Sequence, residues 1–156
     1  MGKPLFDFIA PFYALFFGFQ VRYYHRILDR VRDRFDLGEY RNIIDVGCGT
    51  GALCHVLDQR GFHVTGMDVS ENMIRAARKK LAGSSVDLHV ADILKPTPFQ
   101  GKSFDVAFSS YTAHGLDKAD RGKMYAEMGR LARSRVIFHD FNRRRAPHIS
   151  LAERLE

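Results

Sequence analysis

The stretch Asp45-Val46-Gly47-Cys48-Gly49-Thr50-Gly51-Ala52 constrains this chain more than any other. It follows a short apolar run, Asn42 to Val46, and precedes a stretch of helical character, Ala52 to Arg60. Glycines at such a strand-to-helix turn let the backbone pass close to a ligand and adopt positive φ. The helix that begins near Gly51 then turns its free N–H groups and positive dipole end toward that ligand. A second apolar run, His63 to Met67, ends at Asp68. An acid about 20 residues beyond a glycine loop is placed to accept hydrogen bonds from the ribose hydroxyls of a nucleoside cofactor. Loop, helix and acid together predict an adenosine-containing ligand at the carboxyl ends of the strands.

The rest of the chain repeats the alternation. Val86 to Ala91, Phe104 to Phe108 and Val136 to Phe138 read as strands, and Glu71 to Leu81 and Lys118 to Arg133 as helices. Ser70 reads as an N-cap, and Gly61 and Gly83 as helix stops. Pro96 and Pro98 mark a loop where the crossover helix is weakly written. This order calls for an α/β fold of the Rossmann-like, doubly wound kind, a mainly parallel sheet with helices on both faces. Upstream, Val21, Tyr24, Leu28, Val31 and Phe35 form the apolar stripe of one more helix, ended by Gly38. Arg22, Arg26, Arg30 and Arg34 line its other side, ordinarily a solvated face. Asp29 and Asp33, each three residues after an Arg, are spaced for local ion pairs. Residues 1–38 are expected to act as an arm and helix closing over a core of residues 39–156.

The chain has 156 residues, 46% hydrophobic and 27% charged, which fits one domain and excludes a disordered or fibrous protein. A net charge of +6 admits an anionic partner without identifying one. Two cysteines, Cys48 and Cys54, are too few for a disulfide framework and point to a cytoplasmic setting. Leu5 to Val21 is apolar and aromatic, but Asp7, Pro11 and Gly18 interrupt it. It is short for a spanning helix, and no cleavage site follows. The expectation is a protein without a transmembrane segment, whose apolar arm is compatible with peripheral membrane contact.

The spacing Gly47, Gly49, Ala52 also satisfies the dinucleotide pattern GxGxx[GA], so an NAD(P)-dependent oxidoreductase stays open on that motif alone. A wider set of residues carries a family resemblance. Asp45 to Gly51 resembles motif I of the class I S-adenosylmethionine-dependent methyltransferases, and Gly66 to Ile74 (GMDVSENMI) resembles their second motif. Ala91-Asp92-Ile93 is similar to the acid after their third strand, and Phe104 to Leu116 (FDVAFSSYTAHGL) to their fourth motif. Phe6 to Phe16 resembles the opening arm of ubiquinone/menaquinone-type C-methyltransferases, with Ala14 where an Asp is usual.

The resemblance implies S-adenosylmethionine as cofactor and methyl transfer to a small-molecule or lipid-like acceptor. It also implies roles. Gly47, Gly49 and Gly51, with Cys48 between them, would pass close to the methionine part, which Asp45 would orient. Asp68 would take the ribose, and Val69 would cover one adenine face. Asp92 would accept from the adenine amine, with Ile93 beside the ring. Ser109 would offer its backbone carbonyl to the cofactor's amino group, and Tyr13 would close over the site. The family's sheet has seven strands, and this sequence has no room for the last two. The fifth strand would then be a bare edge, belonging to a fragment or covered by a partner subunit. A non-catalytic nucleoside-binding interaction module is the alternative that this deficit motivates.

His114 follows the fourth strand on the cofactor side and is the candidate catalytic base. No partner acid is evident near it in the sequence, which favours a capping or packing role. Tyr111, His139 and Asp140 sit at strand ends where a substrate would lie. A third ligand with suitable spacing is lacking, so no metal is expected. Cys48 stands at a helix N-terminus, which can lower a thiol pKa, but the position carries no further sign of reactivity. Arg143, Arg144 and Arg145 read as a solvated segment. No stacking platform or recognition helix is written, which argues against a nucleic-acid partner. The chain is expected as a monomer or homodimer.

Overall fold

A computed structural model describes residues 15–32 and 37–140. Helix α1 (Phe17–Val31) leads into β1 (Asn42–Val46), α2 (Ala52–Gln59), β2 (His63–Asp68), α3 (Glu71–Lys80) and β3 (Asp87–Val90). Then come β4 (Phe104–Ser110), a 3-10 turn at Ala113–Gly115, α4 (Lys118–Leu131) and β5 (Ala132–His139). The five strands form one parallel sheet in the order β3-β2-β1-β4-β5. The chain winds outward from β1 to β3, then crosses back to build β4 and β5 on the other side. That reversal opens a crevice above the carboxyl ends of β1 and β4, where ligands of such sheets bind.

Alternation along β1 shows how the layers are built. Ile43 and Ile44 are both fully buried, yet they belong to opposite faces. Ile43 joins Leu28, Leu53, Leu57, Ile74 and Val106 beneath α1, α2 and α3. Ile44 joins Met67, Ala107, Met124, Met128 and Leu131 beneath α4. The sheet is therefore covered on both sides, as the sequence pattern requires. Ser70, extended at φ −87° and ψ 116°, accepts the Met73 N–H and caps α3 as expected.

Some boundaries differ from the sequence reading. Helix α4 stops at Leu131 and β5 begins at Ala132 with no intervening loop, because Ala132 already pairs with Phe104 in the ladder. Arg133, which looks helical by propensity, instead donates to the Lys102 carbonyl across that ladder. Strand β4 runs on to Ser110. Between β3 and β4 there is no helix; Ala91, Ile93, Leu94 and Phe99 pack over the second core in its place.

Helix α1 is bound into the molecule through Leu28, which is buried, and through Phe17, Val21 and Tyr24 packed on the first core. Asp29 does not pair within its own helix. Its carboxylate lies 2.7 Å from Arg60 Nη2 at the end of α2, because packing of the two helices brings Arg60 alongside. Asp33, Arg34 and Phe35 lie outside the described residues, as do residues 1–14 and 141–156, including Tyr13 and Arg143 to Arg145. No helix among the described residues is long and apolar enough to cross a membrane.

Candidate active site

The glycine loop is fixed from below. The N–H groups of Gly47 and Cys48 both donate to the Met67 carbonyl, at 2.8 and 2.9 Å, which ties the turn to β2. Gly47 has φ +75°, and a Cβ there would lie 2.3 Å from Thr112 Oγ1. Gly49 also has positive φ, +53°, but a Cβ there would meet no atom within 4 Å. One glycine is required by the protein's own packing. The other leaves open space above the loop.

Asp68 Oδ2 accepts the Gly49 N–H at 2.9 Å, and its Oδ1 accepts the Ser70 N–H at 2.9 Å. The acid at the tip of β2 thus holds the loop and the start of α3 together, and the residue is only half-buried. Val69 follows it, half-buried. Asp92, beyond β3, accepts the Leu94 N–H at 3.0 Å, and Ile93 packs against the second core.

Asp45 is buried at the end of β1. Its Oδ2 accepts the Cys54 thiol at 3.3 Å, whereas its Oδ1 has no hydrogen-bond partner. Burial pushes its pKa up to about 7; the Cys54 hydrogen bond works against this and the Asp68 charge adds to it. The Cys54 thiol is pushed well above its ordinary value by its hydrogen bond with Cys48 and by burial. Cys48 also rises: the Cys54 hydrogen bond pulls it down, but burial and the charges of Asp45 and Asp68 outweigh this. Neither cysteine is an activated nucleophile. The Cys48 side chain points into the core near Gly66, so only its backbone borders the loop.

On the other side of the crevice, Ser109 is buried and its hydroxyl donates to the Val46 carbonyl at 3.0 Å. His114 and Asp140 meet: Nδ1 of the imidazole is 3.0 Å from Oδ1, and the His114 N–H donates to Oδ2 at 3.1 Å. Both side chains are 18% exposed. The partner acid absent from the local sequence is supplied by the end of β5.

Around them runs a chain of hydroxyls and rings. Tyr24 donates to Ser110 Oγ at 3.0 Å, and Ser110 Oγ lies 2.8 Å from His139 Nδ1. His139 Nε2 lies 3.4 Å from Tyr23 Oη, which bonds the Tyr111 hydroxyl. Burial lowers the His139 pKa, with Asp140 opposing, so the ring is held neutral. Tyr111, raised by burial and then by its bond to Tyr23, keeps its proton. Tyr111 also has φ +54°, a strained conformation for a bulky residue at the end of a strand.

The structure therefore brings Asp45, Gly47, Cys48, Gly49, Gly51, Asp68, Ser109, Tyr111, His114, His139 and Asp140 to one end of the sheet, with Val69, Asp92 and Ile93 following the tips of β2 and β3. Tyr23, Tyr24, Ser110 and Thr112 belong there too and were not singled out from sequence. Tyr24 was legible only as a member of an apolar stripe. The open groove lined by Thr65, Asp87, His89, Phe99 and Phe104 lies at the opposite, amino end of the sheet and takes no part.

The chain is similar to known methyltransferases. The model of a family described as a methyltransferase domain matches residues 43–135. An uncharacterized methyltransferase of Geobacillus kaustophilus, GK2543, is 32% identical over 119 residues, covering 75% of this chain and 53% of that protein. The 18S rRNA (guanine(1575)-N(7))-methyltransferase of Saccharomyces cerevisiae is 38% identical over 80 residues, 50% of this chain and 28% of that one. The solved structure of CalS10 with bound SAM, an amino pentose methyltransferase from Micromonospora echinaspora, superposes with a TM-score of 0.64 at 26% identity, covering 79% of this chain and 51% of that one. The chain spans about half the length, or less, of the curated relatives it matches.

Proposed function

The chain belongs to the methyltransferase domain family, and on that premise we propose that it forms the cofactor-binding core of an enzyme that methylates a small-molecule or lipid-like acceptor. The cofactor is S-adenosylmethionine. The dinucleotide alternative is set aside by the family match over residues 43–135. The residues present fit the cofactor. Space is open beside Gly49 while Gly47 and Gly51 are closed off by Thr112 and Leu81, and a buried carboxylate oxygen of Asp45 waits without a partner. That contrast within one loop carries the reading.

Bound there, the sulfonium cofactor supplies a methyl group already activated for transfer. This chain's residues position it. Asp45 would turn its unpartnered oxygen to the methionine end, and Asp68 would accept from the ribose. Val69, Asp92 and Ile93 would border the adenine, and the Ser109 carbonyl would meet the amino group. Alignment of donor and acceptor in a site closed to water contributes on the order of 7–11 kcal/mol.

The acceptor loses a proton when its nucleophilic atom carries one. His114 takes that proton at Nε2, because its Nδ1–H is committed to Asp140 and the two bonds to that carboxylate fix the ring. Tyr23, Tyr111 and His139 line the acceptor side as a wall of polar rings. Such a wall suits an uncharged ring, a hydroxyl or a lipid-like group better than a phosphate backbone, even though one relative acts on rRNA. Calorimetric titration with S-adenosylmethionine and with its demethylated product tests the cofactor site; binding is expected, and no heat at saturating ligand would remove the reading. Transfer of a labelled methyl group into fractions of a cellular small-molecule and lipid extract tests the acceptor class.

A further inference from the structure

The outer side of α1 carries a pattern that neither the core nor the cofactor site uses. Leu15, Phe16 and Phe19 are 80%, 58% and 62% exposed, more than any other large apolar side chain among the described residues. Leu15, Phe19, Arg22, Arg26 and Arg30 fall four, three, four and four positions apart, so they lie along one line of the helix, and all five are exposed. The line is polarised, apolar at its amino-terminal end and cationic along the rest. Among the described residues no carboxylate pairs with Arg22, Arg26 or Arg30. Asp29, the acid nearest to them in sequence, is held by Arg60.

We infer that this ridge is a docking surface for an anionic lipid bilayer. Contiguous large apolar groups in water are unfavourable, and a row of cations directly beside them complements an anionic interface that also takes up apolar side chains. The apolar end enters the headgroup boundary while the arginines neutralise lipid phosphates and carboxylates. The ridge is convex and its most exposed member is aliphatic. Single-stranded nucleic acid instead seeks a groove with aromatic faces for stacking.

The placement joins the surface to the site. Helix α1 passes from Tyr23 and Tyr24, at the carboxyl ends of β4 and β5, down to Asp29, beside the end of α2. Leu15, Phe16 and Phe19 precede Tyr23 and so stand at the end of the molecule where the crevice opens. Docking by this ridge sets the crevice, lined on that side by Tyr23 and Tyr24, next to the lipid surface. The binding surface itself does not depend on methyl transfer, and its failure is separable from failure of the cofactor reading.

Sedimentation of the full chain with phosphatidylcholine–phosphatidylserine vesicles and with phosphatidylcholine vesicles tests the proposal. Binding to the anionic vesicles is expected, weakened by salt, with little to the neutral ones. Each arginine near an anionic surface contributes on the order of a fivefold factor in partitioning. R22E/R26E is therefore expected to lower binding by more than about tenfold, and F16S/F19S by about as much through lost apolar burial. Both variants should keep the parent's thermal midpoint and its affinity for S-adenosylmethionine. Absence of anionic-vesicle binding overturns the proposal, as does unchanged binding in either variant. So does retention of a single-stranded RNA homopolymer in preference to vesicles.

Discussion

His114 Nδ1 and Asp140 Oδ1 stand 3.0 Å apart, and the second oxygen of the same carboxylate takes the His114 backbone N–H. A ring held at two points keeps its basic nitrogen in one direction. Replacing His114 with Ala is expected to slow methyl transfer to an acceptor that must lose a proton by on the order of 100-fold or more. Asp140→Asn should slow it less and alter its pH profile, since the ring keeps an acceptor for Nδ1–H but loses the countercharge. Single-turnover transfer of labelled methyl measures both, alongside calorimetric cofactor affinity, which should stay unchanged. An equal loss of cofactor binding would assign His114 a packing role.

Two glycines in the same loop should respond in opposite ways. Gly47→Ala drives a methyl group into Thr112 at a positive-φ position, so it is expected to lower the thermal midpoint strongly, with strain and overpacking each on the order of 1–3 kcal/mol. Gly49→Ala has room in the free protein and costs only the left-handed backbone, about 1–2 kcal/mol. Its larger effect should appear in calorimetry, as weakened S-adenosylmethionine binding, because the methyl group takes the ligand's space. Equal affinity for parent and Gly49→Ala would place the ligand elsewhere.

Asp68 has two duties, so its variants should separate them. Asp68→Ala is expected to weaken cofactor binding roughly 10- to 100-fold, the scale of hydrogen bonds to a charged group. It also leaves the Gly49 and Ser70 N–H groups without their acceptor, so a modest fall in melting temperature should accompany it. Asp68→Asn retains one carbonyl oxygen and should recover part of the stability but less of the affinity. Scanning calorimetry and titration together read the split.

Burial holds Asp45 at about 7 in the folded chain, against 3.8 for an ordinary aspartate. Between those values the folded chain keeps a proton that the unfolded chain has lost. Its contribution to stability is fully present below the lower value and is lost as pH rises through the upper one. His139, lowered by burial, acts in the opposite sense below its ordinary 6.5. Comparison with Asp45→Asn isolates the aspartate. From about pH 5 to about pH 7.5 the wild type's urea midpoint should fall relative to that of the variant. Parallel pH dependences would show that Asp45 ionises normally.

What the sequence revealed was local. The loop from Asp45 to Gly51, the acid at Asp68 and the cap at Ser70 each lie within one strand-turn-helix unit, where a few neighbouring residues set the geometry. The His114–Asp140 pair joins residues 26 positions apart across a strand, and nothing near His114 hints at it. The Tyr23–His139 contact spans 116 positions and requires the whole sheet order. Tyr24 reads as core because most of it is core; only its hydroxyl reaches Ser110. The start of β5 was hidden because Ala132 and Arg133 suit a helix, and only the pairing of Ala132 with Phe104 carries the ladder back that far.

The tyrosines of α1 are among the first described residues to be synthesised, and the histidine they await is among the last. A growing chain on the ribosome therefore makes the glycine loop and β2 well before β5, and the wall that joins Tyr23 to His139 can close only when almost all of the described chain has been translated.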